Sequence, residues 1–365
     1  MNINFSKTAL KETLKSWVNF ETPTGDEKRL MGFSSLVVYA LEKTGAKVQT
    51  CALPRGPVLH ATFGTGKKRC VLMGHMDTVF SYGEAERYDE ENGRLYGAGV
   101  LDMKSGLVML VNAFECLSNN LPDGWQIEAL INSDEEWGSV DSRETLLSVL
   151  KGAELVFSFE GNKENCLTVS RKGIWTFEIV SKGIAAHTSG GADKNKNAIY
   201  RLSNAISAIY DCEYKTDVTL NIGMIEGGKA TNVVADRAKL RGEIRAETDD
   251  GLKEAEEKII RISEENGCAY LRLTNRPPMK PNDKTMRLFH AFSKIDPTLI
   301  PRAAGGGGDA AFAVEAGAYA IDGLGAEGAR AHTRREYVIE ESLEKRFLLA
   351  VNGIMKCMRE FEEWT

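Results

Sequence analysis

The chain of 365 residues has no apolar run long enough to cross a bilayer, and its opening stretch MNINFSKTALKETLKSWVNF lacks the apolar core of a secretory signal. Neither a membrane span nor export is expected, and a cytoplasmic location is. There is no C-x-x-C pair. The seven cysteines, at 51, 70, 116, 166, 212, 268 and 357, are odd in number and far apart, which argues against a disulfide frame or a thiolate zinc site; they read as reduced, mostly buried small hydrophobes. An excess of one charge is missing too. Lys and Arg number 46 against 52 Asp and Glu, giving −6 spread along the chain, so neither nucleic acid nor an anionic membrane is expected as a partner. Internal repeats and low-complexity tracts are absent. Two phosphate-binding patterns fall short: GTGKKR (64–69) has no Gly at Ala61 and no Ser or Thr after its lysine, and GAGVLD (97–102) puts Asp102 where a third glycine belongs.

What is present reads as a globular protein too long for one simple core, so two domains are expected. Helical periodicity over 26–43, 103–120 and 142–151 alternates with apolar runs such as RCVLMGH, QIEALINS (126–133) and ELVFSF (154–159). Alternation of this kind predicts an α/β layer on a mostly parallel sheet. The middle differs: IWTFEIVSKG, a helix near 196–210, DVTLNIGMIEGG, ADRAKLRGEIRAET, a helix near 249–265 and CAYLRLTN predict an inserted four-stranded, two-helix α+β module. The expected division is a catalytic domain over 1–171 and 279–365 with an insert at 172–278. The closing helix carries Leu343, Phe347, Leu348, Val351, Ile354, Met355, Met358 and Phe361 at helical spacing, expected to face the core.

Ligands of open α/β sheets gather beyond the carboxyl ends of the strands. His75 follows one apolar run, Glu135 and Glu136 another and Glu160 a third, while Asp102 stands just before a helix. Taken singly, each has a plain alternative: H-x-D arises by chance, SDEEW reads equally as a solvated acidic turn, and Glu160 as a turn cap. Together, so many acids and imidazoles at one sheet edge call for a counter-ion. Asp, Glu and His are zinc's oxygen and nitrogen ligands. Asp77, two residues from His75 and so on the same side of an extended chain, suits the carboxylate that orients a ligating imidazole. Of five histidines, His332 in EGARAHTRREYV is the other candidate ligand, whereas His60 and His290 read as structural. One shared aspartate among five ligands would hold two ions about 3.5–4 Å apart.

GHMDTV, GAGVLDMKSG, SDEEWGS, FEG, GIAAHTSG, GGGGDAAFA and AHTRREYV together resemble the co-catalytic zinc exopeptidases. That family includes glutamate carboxypeptidase, acetylornithine deacetylase, succinyl-diaminopimelate desuccinylase and aminoacylase, and the likeness is nearest to the first. The resemblance covers nearly the whole chain. It implies two Zn2+, with Co2+ or Mn2+ as substitutes: His75 and Glu160 on one ion, Glu136 and His332 on the other, and Asp102 on both. It implies Asp77 as the orienting carboxylate of His75 and Glu135 as general base. The insert becomes a lid that joins a homodimer, with His187 steadying the oxyanion and Asn232 and Arg245 gripping the substrate carboxylate; a plainer alternative for Arg245 is an exposed strand arginine. The implied substrate is a small peptide or N-acyl amino acid. A deacylase or dipeptidase is the nearer alternative and a non-catalytic binding protein the remoter one. One departure stands out: Gly308 occupies a position where relatives carry Ser or Thr.

Overall fold

The computed structural model describes residues 5–190 and 193–364. They form two compact units, one running to Ser170 and resuming over Pro281–Ala304 and from Gly308 onward, the other comprising Arg171–Lys280 with Gly305–Gly307. Ten strands build the main sheets: β1 (Lys47–Cys51), β2 (Val58–Phe63), β3 (Lys68–His75), β4 (Trp125–Asn132), β5 (Leu155–Ser158), β6 (Gly173–Lys182), β7 (Thr219–Gly227), β8 (Arg237–Ala246), β9 (Cys268–Arg276) and β10 (Tyr319–Ile321).

The first unit is a six-stranded sheet in the order β1-β2-β4-β3-β5-β10. Pairings β4–β3, β3–β5 and β5–β10 are parallel, and β1 and β2 add an antiparallel edge. The sheet is therefore mixed and mostly parallel, as the alternation of helix and strand signals predicts. Cys70–Met73 and Ile127–Asn132 are buried without alternation, because helices cover both faces of a parallel sheet. The helix α1 (Lys7–Val18) buries Leu10, Leu14, Trp17 and Val18. In α2 (Glu27–Glu42) the Asp26 side chain accepts from the Arg29 N–H and caps the first turn. Then α3 (Ser105–Ser118) connects β3 to β4, and α4 (Arg143–Leu150) connects β4 to β5. The closing helix Glu340–Glu360 buries Leu343, Phe347, Val351, Ile354, Met355 and Met358, with Leu348 partly buried against the same core. No helix among the described residues is long and apolar enough to cross a membrane.

The second unit is a four-stranded antiparallel sheet in the order β7-β8-β6-β9. The helices α5 (Ala198–Asp211) and α6 (Asp249–Glu265) cover one face, with Phe177, Ile179, Leu202, Ile209, Leu240, Ile244, Leu252 and Ile259 in the core between. The outer strand β7 is mostly exposed.

Candidate metal centre

Three neighbouring strands of the first unit end at the same edge. His75 closes β3 opposite Asn132, the last residue of β4, while Met73 pairs with Ser158 of β5. Two to four residues beyond the ends of β5 and β4 stand Glu160, Glu135 and Glu136. A fourth acid comes from the irregular segment Val100–Lys104, where Asp102 and Met103 leave helical geometry just before α3.

The side chains converge on Asp102. Its Oδ1 lies 3.1 Å from His75 Nε2, and its Oδ2 lies 3.1 Å from His332 Nε2. Glu160 Oε1 is 3.6 Å from His75 Nε2, and Glu136 Oε2 is 3.2 Å from His332 Nε2. Ligand atoms of His75, Asp102 and Glu136 all fall within 4.8 Å of one another. His75 is 1% exposed but the His332 side chain 53%, so one flank of the cluster is sealed and the other open. His332 and Arg330 both hold positive φ, at 63° and 66°, an uncommon conformation outside glycine.

Asp77 is fully buried and does two jobs. Its backbone O is 3.1 Å and its Oδ1 3.3 Å from His75 Nδ1, so backbone and carboxylate share the ring nitrogen. The same carboxylate accepts from Thr24 Oγ1 at 2.8 Å and from the backbone N–H groups of Glu135 and Glu136 at 3.2 and 3.1 Å. It thus joins the end of β3 to the turn that presents both glutamates. That turn is held from beneath by buried Asp309, which accepts from Asn132 Nδ2 at 2.7 Å and Ser139 Oγ at 2.5 Å. Gly308 contributes its carbonyl, which accepts from the Ala311 N–H.

The electrostatics are unbalanced without a cation. Burial, then the Asp102 charge, pushes Glu136 up to about 8. The same two causes raise Glu160 well above the usual carboxylate range. Burial opposes ionisation of Asp102, yet hydrogen bonds with His332 and His75 hold it well below that range. His332 is raised to about 11 by hydrogen bonds with Asp102 and Glu136. The two imidazoles thus bracket Asp102 and leave Glu136 and Glu160 crowded beside its charge. Glu136 Oε1 is buried with no hydrogen-bond partner, an arrangement that costs free energy unless a cation takes the lone pair. The donors, oxygen from carboxylates and nitrogen from imidazoles, fit a divalent metal.

Two buried charges near the centre gave no sequence signal. Glu336, pushed up to about 7 by burial, accepts from the backbone N–H groups of Gly99, Leu101 and Asp102. Lys104, pushed down to about 7 by burial, donates its Nζ to Phe20 O at 2.7 Å. Only the knowledge that their surroundings are dry marks either as unusual. The remaining candidates belong to the second unit. His187 Nε2 and Asn232 Nδ2 lie 3.5 Å apart, with His187 Nδ1 2.7 Å from Ser189 Oγ. Arg245 forks onto Glu243 at 2.8 and 3.1 Å and donates Nη1 to Gly305 O at 3.2 Å.

Known proteins share this arrangement of sequence. Carboxypeptidase G2 of Pseudomonas sp. (strain RS-16) is 26% identical over 368 residues, spanning 95% of this chain and 89% of its own. Succinyl-diaminopimelate desuccinylase of Nitrosospira multiformis is also 26% identical, over 344 residues, 86% of this chain and 90% of its own. Among solved structures, the M20 family metallo-carboxypeptidase Sso-CP2 of Sulfolobus solfataricus superposes with a TM-score of 0.76 at 18% identity, covering 95% of this chain and 98% of that one. The model of peptidase family M20/M25/M40 matches residues 71–355, from the strand that delivers His75 to the helix that follows His332, and the chain is an enzyme belonging to that family.

Proposed function

We propose that the protein is a carboxypeptidase with two zinc ions, hydrolysing the amide bond to a C-terminal amino acid of a peptide or N-acyl amino acid. The observation that carries this reading is the Asp102 carboxylate, each of whose oxygens faces a different histidine. In this reading His75 and Glu160 would hold one ion and Glu136 and His332 the other, with Asp102 serving both; Co2+ or Mn2+ would substitute. When bound, the ions polarise the scissile carbonyl and make water a nucleophile near neutral pH. The chain's own groups do the rest. Asp77 keeps His75 in one orientation. Glu135 takes a proton from the attacking water and delivers it to the departing amine nitrogen, so the carbon–nitrogen bond breaks with no charge left on the amine. Its position follows from the N–H bond to Asp77 that anchors its backbone.

The insert acts in this proposal as lid and dimerisation domain. His187 donates to the oxygen that gains negative charge, and its neighbour Asn232 grips the substrate carboxylate together with Arg245. Because Glu243 already occupies the Arg245 fork, substrate must share that guanidinium rather than find it bare. Homodimerisation through β7 is supported by an edge strand with Met224 64% and Ile225 62% exposed, since unpaired edges invite pairing with another chain. Seven unbridged cysteines support a reducing, cytoplasmic compartment.

The test is amine release from a panel of N-acyl and peptidyl amino acids by zinc-loaded protein. Cleavage of acyl-glutamates and C-terminal peptides supports the carboxypeptidase reading. The desuccinylase relative, at the same identity, favours a second reading as a deacylase. Turnover of N-succinyl diamino acids with refusal of acyl-glutamates would select it and overturn the first.

A further inference from the structure

His332 and Glu336 belong to one short turn. Thr333 N–H bonds to Arg330 O at 3.2 Å and Glu336 N–H to Thr333 O at 3.0 Å, so the two side chains are carried on a single compact piece of backbone. One end of it places the His332 imidazole 3.1 Å from the Asp102 carboxylate. The other places a 1% exposed carboxylate under the backbone of the same residue. Glu336 Oε1 accepts from Leu101 N–H at 2.7 Å and Asp102 N–H at 2.9 Å, and Oε2 accepts from Gly99 N–H at 3.2 Å. The segment that donates these bonds is not a regular helix: Asp102 has φ −119° and ψ 91°. Its N–H groups therefore need acceptors from elsewhere, and buried donors without them are costly.

We infer that Glu336 is a positioning residue of the metal centre, which clamps the Asp102 segment to the His332 turn and thereby sets the spacing between these two ligands. The inference rests on the proposed metal reading. Some 230 residues separate the two ligands in sequence, and the nearest strand pairing between their segments, Tyr337 with Tyr96, lies several residues from either ligand, in contrast to His75 and Asn132, themselves at paired strand ends. A carboxylate is suited to the clamp because two oxygens can accept three N–H groups at once. The amide of glutamine cannot: its oxygen can serve Leu101 and Asp102, but its NH2 would then face the Gly99 N–H, donor against donor.

The experiment titrates metal-free, full-length wild type, Glu336→Gln and Glu336→Ala with Co2+ against a competing chelator, following the visible absorption of the bound ion. Thermal unfolding of each metal-free protein is measured alongside. The expected result is about 10–100-fold weaker Co2+ binding in Glu336→Ala, a smaller loss in Glu336→Gln, and an altered cobalt spectrum in both, with cooperative unfolding retained. Wild-type affinity and spectrum in a folded Glu336→Ala would overturn the inference. So would loss of cooperative unfolding in both variants, which would assign the carboxylate to the fold. Failure of the wild type to bind Co2+ would sink the metal reading itself, a result distinct from any ordering among the variants.

Discussion

Gly106 is the second residue of α3, inside a helix where alanine would ordinarily be preferred by about 1 kcal/mol. Here the expectation reverses. A Cβ built on Gly106 would sit 1.9 Å from the carbonyl oxygen of Phe159, while real Cβ atoms essentially never approach within 3.0 Å. The carbonyl must therefore retreat by about 1 Å, or α3 must lift by as much. Neither is free to do so. Phe159 is fully buried, its N–H is bonded to Met73 O at 3.0 Å, and the next residue is Glu160. Overpacking of this kind costs about 1–3 kcal/mol, enough to overcome the helix-propensity gain. Gly106→Ala should therefore unfold earlier than wild type, by about 2–4 °C for each kcal/mol in a domain of this size. Because the displaced carbonyl leads directly into Glu160, the variant should also bind metal more weakly. A misplacement of about 1 Å can cost about 10²-fold in turnover. Differential scanning fluorimetry of metal-free protein, zinc competition and steady-state amine release would measure the three effects. A variant as stable as wild type with unchanged metal affinity would refute the packing argument.

Glu135→Ala should keep its metal by elemental analysis while losing about 10²–10⁴-fold in turnover, whereas Glu136→Ala should lose metal occupancy; full activity in the first would remove the proposed base. Asp309→Ala takes the acceptor from Asn132 and Ser139 and should cost about 1–3 kcal/mol in urea unfolding, with reduced turnover because the Glu135 turn loosens. Burial works to raise Glu128, but Arg69 and His60 hold it below its ordinary value of 4.5. Its contribution to stability is thus present above that value and disappears as pH falls through the lowered one. Glu128→Gln should accordingly be less stable than wild type at pH 7, with the difference shrinking as the solution is acidified, as read from urea midpoints. Lysines at Met224 and Ile225 should leave the fold intact and halve the mass seen by light scattering if β7 pairs two chains; a dimer that survives both would exclude that edge.

Much of the architecture was legible because its signals are local. Apolar runs that stop at His75, Glu135 and Glu160 mark strands meeting a functional edge, and Asp26, Asn197 and Thr248 cap helices near where periodicity begins. The candidate metal cluster was legible for the same reason, since strand order brings together what strand ends carry. Other features were hidden. The segment around Asp102 reads as the approach to a helix, yet regular helix starts only at Ser105. Glu336, Lys104 and Arg346 look like ordinary surface charges in sequence. All three are buried, and their partners Leu101, Phe20 and Gly325 are backbone groups far along the chain. A buried charge bonded to a distant carbonyl or N–H leaves no pattern in its own neighbourhood. The Arg245 fork onto Glu243 is of another kind: residues two apart on one strand share a face, so this pairing does leave a local pattern.

The converging strands give the centre two unequal halves. His75 closes a strand, and Glu136 and Glu160 follow within a few residues of strand ends held about 4.8 Å apart by backbone hydrogen bonds. Their spacing can change only if the sheet itself comes apart. His332 is held less directly: it is half exposed, strained at φ 63°, and carried on a turn between two short paired strands, Gly328–Ala329 and Tyr337–Ile339. Warming or mild chelation should therefore strip the open side while the sealed side still holds its ion. The protein would pass through a half-loaded state whose lifetime is governed by a loop and whose persistence is governed by a sheet.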